Sequence, residues 1–177
     1  YTKWADAYKE ATGNTVNYQG IGSSGGQKQI KAKTVDFAGS DAPMKIEELE
    51  EFHLVQFPAV IGGVTVVFNL PGIESGKVKL DAATLANIFR GAITKWNDSA
   101  IAALNPGMTL PSTAITVVHR ADGSGTTFVF TNYLALNSVS FRTEVGADKE
   151  VNWPKGTLGG KGNAGVAANV LKIAGAI

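Results

Sequence analysis

The sequence predicts an α/β protein with a mainly parallel sheet, arranged as two lobes. Three observations lead there. Short apolar runs alternate along the chain with segments whose apolar residues recur at helical spacing. Two glycine-rich loops, near residues 20 and 122, each stand between a strand-like run and a helix. No internal repeat and no low-complexity stretch points to another architecture.

The elements follow in order. Tyr1 to Ala11 reads as a helix with Trp4, Tyr8 and Ala11 on one face, opening without a cap and stopped by Gly13. Thr15 to Tyr18 reads as a short strand, followed by the glycine loop 20–26 and a helix from about Gln27 to Ala32. Val35 to Ala38 is a second short strand, and Ile46 to Phe52 an acidic helix. Val55 to Val60 and Val64 to Asn69 carry the strongest strand signals, parted by Gly62-Gly63. Asp81 caps a helix with Leu85, Ile88 and Phe89 that Gly91 ends, and Asp98 caps another through Leu104. Ile115 to Val118 reads as a buried strand running into the second glycine loop, from which a helix extends to about Leu136. A last helix spans Ala164 to Ile173, after Gly159-Gly160-Lys161-Gly162-Asn163.

Composition removes several function classes. The 177 residues suit one domain or two small ones with a sizeable core. Lys and Arg number 16 against 15 acids, a net charge of +1, so bulk charge gives no purchase on nucleic acid. With no cysteine, disulfide scaffolds, zinc ribbons and thiol catalysis are excluded. The longest apolar run, Val64 to Phe68, falls far short of the roughly 20 residues of a membrane helix. Tyr1 opens in the middle of a helical pattern, so no signal peptide is expected in this sequence; a mature secreted chain would lack one too. Glycine is the outlier, 21 residues clustered ahead of apolar helical stretches.

Four motifs bear on chemistry. Gly20-Ile21-Gly22-Ser23-Ser24-Gly25 fits the dinucleotide pattern GxGxxG, with Asp36 and Asp41 roughly 20 residues on, where a ribose-binding acid belongs. The preceding strand is half polar, however, and Gly160 to Gly165 fits the same pattern with no clear strand before it. Gly22 to Gly26 also fits the nucleophile elbow GxSxG. A hydrolase would need a His base, and the two histidines are His53, on an acidic helix, and His119, beside Arg120.

Arg120-Ala121-Asp122-Gly123-Ser124-Gly125-Thr126-Thr127 is the most informative stretch. Amides of a Gly-Ser-Gly turn at a helix N-terminus converge on an anion, and Ser124, Thr126 and Thr127 add hydroxyls. Arg120 supplies a planar fork for a tetrahedral oxyanion, and Asp122 is placed to hold it. A capped helix with a surface ion pair is the plain alternative. Finally, Asp41 follows a Gly-Ser turn and would ordinarily be a helix cap. Beside an anion site its carboxylate repels a fully ionised oxyanion and accepts the proton of hydrogen phosphate, which discriminates phosphate from sulfate.

Taken together, "NYQGIGSSGG", "DFAGSDAPM", "QFPAVIGG", "ITKWND", "RADGSGTTFVFTNYL" and "WPKGTLGGKGNAG" resemble the periplasmic phosphate-binding proteins of phosphate-specific ABC transporters along nearly the whole chain. The resemblance implies a two-lobed periplasmic-binding-protein fold with the ligand in a cleft between lobes. It implies residues 1–69 as part of lobe one, 70–177 as part of lobe two and a hinge near Asn69. Family segments expected before Tyr1, including a Thr-Phe pair, and after Ile177 are not in this sequence, so the chain is read as an incomplete piece.

The implied site is Ser23 donating by its hydroxyl, Asp41 accepting the phosphate proton, Arg120 oriented by Asp122, and Ser124, Gly125 and Thr126 donating at a helix N-terminus. The implied function is capture of inorganic phosphate and delivery to the membrane permease of an ABC importer, outside the cytoplasm, by a protein that is a monomer when complete. No enzymatic role, cofactor, metal or nucleic-acid partner is implied. The rival expectations are a dinucleotide-binding enzyme using residues 20–25, and a binding protein for molybdate or sulfate.

Overall fold

A computed structural model describes residues 1–177. Its elements are α1 (Thr2–Thr12), α2 (Gly22–Lys31), α3 (Ile46–Phe52), α4 (Ala82–Phe89), α5 (Ser99–Leu104), β1 (Val118–Arg120), α6 (Gly125–Asn137), α7 (Val139–Glu144), β2 (Leu158–Gly160) and α8 (Gly162–Lys172). The helices form where local signals predict them. Gly13 ends α1 in the left-handed region at φ 77°, and its N–H bonds back to the carbonyl of Lys9. Asp81 accepts from the Thr84 amide at 2.7 Å and opens α4. Asp98 accepts from the Ala100 amide at 2.9 Å and opens α5.

Two helices begin earlier than the sequence pattern implies, each at a glycine with positive φ. Gly22 (φ 74°) turns the chain directly into α2, so the glycine stretch is its first turn and not a loop. Gly162 (φ 66°) does the same for α8. Helix α7, which the sequence reading passed over, is capped by Ser138, whose hydroxyl accepts from the Phe141 amide at 3.2 Å.

The sheet is parallel as expected but small. β1 pairs with β2 in the register Val118–Leu158, His119–Gly159, Arg120–Gly160. An isolated parallel bridge between Thr116 and Ala176 brings the C-terminal residues alongside. The strand expected at Ile115 to Val118 therefore starts three residues later and runs into the loop that it serves. The strands expected at 15–18, 35–38, 55–60 and 64–69 join no ladder. A strand is held by a neighbour, and within this chain these segments find none. Val55 and Phe57 are largely exposed. The one exception is Asn69, whose amide and carbonyl bond to Ala176 and Gly175 at 2.9 and 2.7 Å.

The hydrophobic core is drawn from the second part of the chain. Leu85, Ile88, Trp96, Ile101, Leu134 and Phe141 are buried in one cluster that runs from Leu70 to Ile177. Phe89 meets Phe130 edge-on at 4.8 Å, which seats α4 on α6. The indole of Trp96 is fully buried and donates to the Gly175 carbonyl at 2.9 Å. Between residues 1 and 69 only Ser23, Gln27 and Ala42 are buried. No helix is long and apolar enough to cross a membrane.

Candidate functional site

Three segments far apart in the chain meet at the N-termini of α2 and α6: residues 22–27, 39–42 and 120–127. Ser23, only 6% exposed, lies at the junction. Its Oγ accepts from the Gly125 amide at 3.1 Å and from the Asp41 amide at 3.3 Å. Those two bonds occupy both lone pairs of the hydroxyl, which leaves its proton for donation. Ser24 strengthens the junction, its amide donating to the Gly123 carbonyl at 3.3 Å.

Ser124 is fully buried and caps α6, its Oγ accepting from the Thr127 amide at 3.2 Å. Thr126 follows in the first turn and is half-buried; its amide bonds to no other backbone group. A free amide at a helix N-terminus is a donor for an anion. Asp41 is exposed at the edge of the junction.

The guanidinium of Arg120 is held on three sides. Its Nε donates to Asp122 Oδ1 at 2.7 Å, its Nη2 donates to Asp122 Oδ2, and its Nη1 donates to Asn163 Oδ1 at 2.7 Å. One N–H on each Nη nitrogen remains beyond these, on a side chain that is 11% exposed. Asp122 is itself fixed by the Gly162 amide, which donates to Oδ1 at 3.0 Å. The Arg120 hydrogen bond, reinforced by that Gly162 amide and by the guanidinium charge, lowers the Asp122 carboxyl from its ordinary 3.8 to about 2. The N-terminus of α8 thus takes an internal carboxylate as its anion.

The seven predicted residues are therefore brought to one place: Ser23 and Asp41 on one side, and Arg120, Asp122, Ser124, Gly125 and Thr126 on the other. Sequence reasoning missed three partners. Asn163 and Gly162 secure Arg120 and Asp122, and the sequence signal for them is the glycine-rich stretch 159–163. Gln27 ties α2 to the Asp41 loop, donating to Ser40 Oγ at 3.0 Å and to the Ala42 carbonyl at 2.9 Å.

The rival motifs fare differently. Residues 15–18 form no parallel strand, and the N-terminus of α2 spends its Ser24 amide on Gly123. A methyl group at Gly22 would lie 2.9 Å from the Gly123 carbonyl and 3.1 Å from the Asp122 carboxylate. This glycine is needed for close packing against the other loop. The second GxGxxG does follow a strand, β2, contrary to expectation, but its Gly162 amide is taken by Asp122. His53 is exposed at the end of α3, while His119 stacks on Trp153 at 5.1 Å with its Nδ1 2.8 Å from the Arg120 carbonyl. Neither histidine hydrogen-bonds to a serine of the elbow pattern.

Known proteins resemble this chain in sequence and in fold. The phosphate-binding protein PstS of Pasteurella multocida is 60% identical over 173 residues, 98% of this chain and 50% of that protein. PstS of Haemophilus influenzae is 58% identical over 98% of this chain and 52% of its own length. Among solved structures, the high-affinity periplasmic phosphate-binding protein PfluDING, bound with phosphate, superposes with a TM-score of 0.70 at 25% identity, covering 93% of this chain and 49% of that one. The chain spans about half the length of the curated relatives it matches. The model of the PBP superfamily domain matches residues 1–177, every residue of the chain, and with the likeness in sequence and in fold it establishes that the chain belongs to the PBP superfamily.

Proposed function

We propose that this chain carries the oxyanion-capturing residues of a two-lobed solute-binding protein, and that the ligand is inorganic phosphate, delivered to the permease of an ABC importer outside the cytoplasm. In this reading residues 1–69 are part of one lobe and 70–177 part of the other, with the hinge near Asn69. The observation that carries this reading is the convergence of two amides from separate loops, Gly125 and Asp41, on one acceptor oxygen beside a guanidinium clamped in its plane. An oxygen of a tetrahedral anion has the acceptor chemistry of Ser23 Oγ. With the anion in place, the Ser23 hydroxyl, the amides of Gly125 and Thr126 and the remaining N–H groups of Arg120 are its donors.

Asp41 supports phosphate over a fully ionised oxyanion, because a carboxylate accepts a proton that hydrogen phosphate has and sulfate lacks. The role in this reading is binding and not catalysis. The relatives named PstS, a phosphate-binding protein, support the same ligand. Titration calorimetry on the full-length protein containing this chain tests the reading. Phosphate is expected to bind far more tightly than sulfate, molybdate or a dinucleotide. Equal binding of sulfate, or nucleotide binding without phosphate binding, would refute it.

A further inference from the structure

Resting on the phosphate-capture reading and going one step beyond it, we propose that Lys149 and Gln27 are positioning residues that form a releasable latch, holding the Asp41 loop and the Ser124 loop together over the captured anion. Gln27 is 6% exposed, and both its N–H groups and its oxygen are engaged. Its nitrogen donates to Ser40 Oγ and to the Ala42 carbonyl, and its Oε1 accepts from Lys149 Nζ at 2.5 Å. Lys149 in turn fixes the opposite loop, its carbonyl accepting from the Ser124 amide at 3.0 Å. A continuous chain of bonds thus runs from Ser124 through Lys149 and Gln27 to Ala42, next to Asp41. It links the same two loops that Ser23 joins through its own two bonds.

The chemistry of the contact suits a latch. A lysine brought against a buried carboxylate would form an ion pair that is expensive to break. Here the ammonium meets a neutral amide oxygen, while the neighbouring carboxylate, Glu48, is already taken by Lys31. The bond therefore favours closure without locking it, as a protein that must surrender its ligand requires. Lys149 and Gln27 stand 122 residues apart, and Lys149 remains half-exposed, so it is free to withdraw when the loops separate.

The test is phosphate capture and release by the full-length protein, followed by stopped flow in wild type, Lys149→Met and Lys149→Arg. Methionine keeps the length of the stem and removes the donor. Lys149→Met is expected to release phosphate about tenfold faster, the scale of one hydrogen bond to a charged group, with capture changed less than about twofold. Lys149→Arg, which still donates, is expected to restore slow release. A Lys149→Met variant that captures and releases as wild type does would overturn the latch. Wild type that captures no phosphate would instead overturn the proposed function. A distance measurement between spin labels at Lys28 and Lys172, both exposed, separates the two cases further. Without any ligand, Lys149→Met is expected to lengthen the mean separation, and an unchanged separation would also overturn the latch.

Discussion

Replacing Gly125 by alanine tests the junction with a single methyl group. Gly125 does not have a positive φ, so alanine brings no backbone strain of its own. The added Cβ would collide with Ser23 Oγ and would lie 2.7 Å from Asp41 Cβ and 2.9 Å from the Asp41 amide nitrogen. Ser23 can rotate away, but doing so abandons its bonds to Gly125 and Asp41. The Asp41 backbone cannot yield alone, because its neighbour Ala42 is held by Gln27. Overpacking of this kind costs about 1–3 kcal/mol. That corresponds to a loss of phosphate affinity of roughly 5- to 150-fold. Alanine also favours a helix over glycine by up to about 1 kcal/mol, less in a first turn. If the two loops lie on separate lobes, the penalty exists only when they close. The melting temperature without phosphate should then hold or rise slightly, while the increase on adding phosphate shrinks. Calorimetry gives the affinity and thermal melts with and without phosphate give the split. Affinity within threefold of wild type would refute the steric argument. An equal loss of stability with and without phosphate would place Asp41 and Gly125 in one rigid unit, not on opposite sides of a cleft.

Other perturbations read the remaining contacts. Arg120→Lys keeps the charge but loses the planar fork that Asp122 and Asn163 hold, so phosphate affinity in a competition titration should fall about tenfold or more; unchanged affinity would leave Arg120 as the ion-pair partner of Asp122 alone. Asp41→Asn replaces an acceptor with a group that also donates, so the ratio of phosphate to sulfate affinity should fall even if phosphate still binds well, and a constant ratio would remove Asp41 from selectivity. Asp122 has a carboxyl lowered to about 2, so its pairing contributes stability at and above about pH 4 and loses it as the pH falls from 3.8 through 2. Thermal melts across that range should show a steeper decline for wild type than for Asp122→Asn, and parallel curves would show that the pairing contributes nothing to the fold.

How much of this was legible in the sequence depended on the range of the interaction. Helix ends set by local caps are legible because a cap acts over a few residues: Asp81 on Thr84, Asp98 on Ala100, and Gly13 back to Lys9; the glycine starts of α2 and α8 are not. Strands were not, because a strand is defined by a partner that the local pattern does not name. Residues 55–60 and 64–69 have the composition of strands and pair with nothing in the chain except at Asn69, whereas β2, Leu-Gly-Gly, has almost no strand propensity and pairs because β1 lies beside it. At the site, Arg120 and Asp122 were legible as a pair two residues apart. Asn163, 43 residues from Arg120, and Lys149, 122 from Gln27, were not.

The glycines show the same division. Their enrichment is visible in the sequence, and amides converging on an anion at a helix N-terminus account there for the Gly-Ser-Gly turn. At the junction the reason is closeness of approach. A methyl on Gly123 would strike the Ser24 side chain, and one on Gly125 would strike Ser23 and Asp41. One on Gly22, where a positive φ is also required, would press on Gly123 and the Arg120–Asp122 pair. The glycines on one segment thus make room for the serines and acids of the other. That requirement arises where two surfaces come within hydrogen-bonding distance of each other, as the closure around a small anion proposed above would demand.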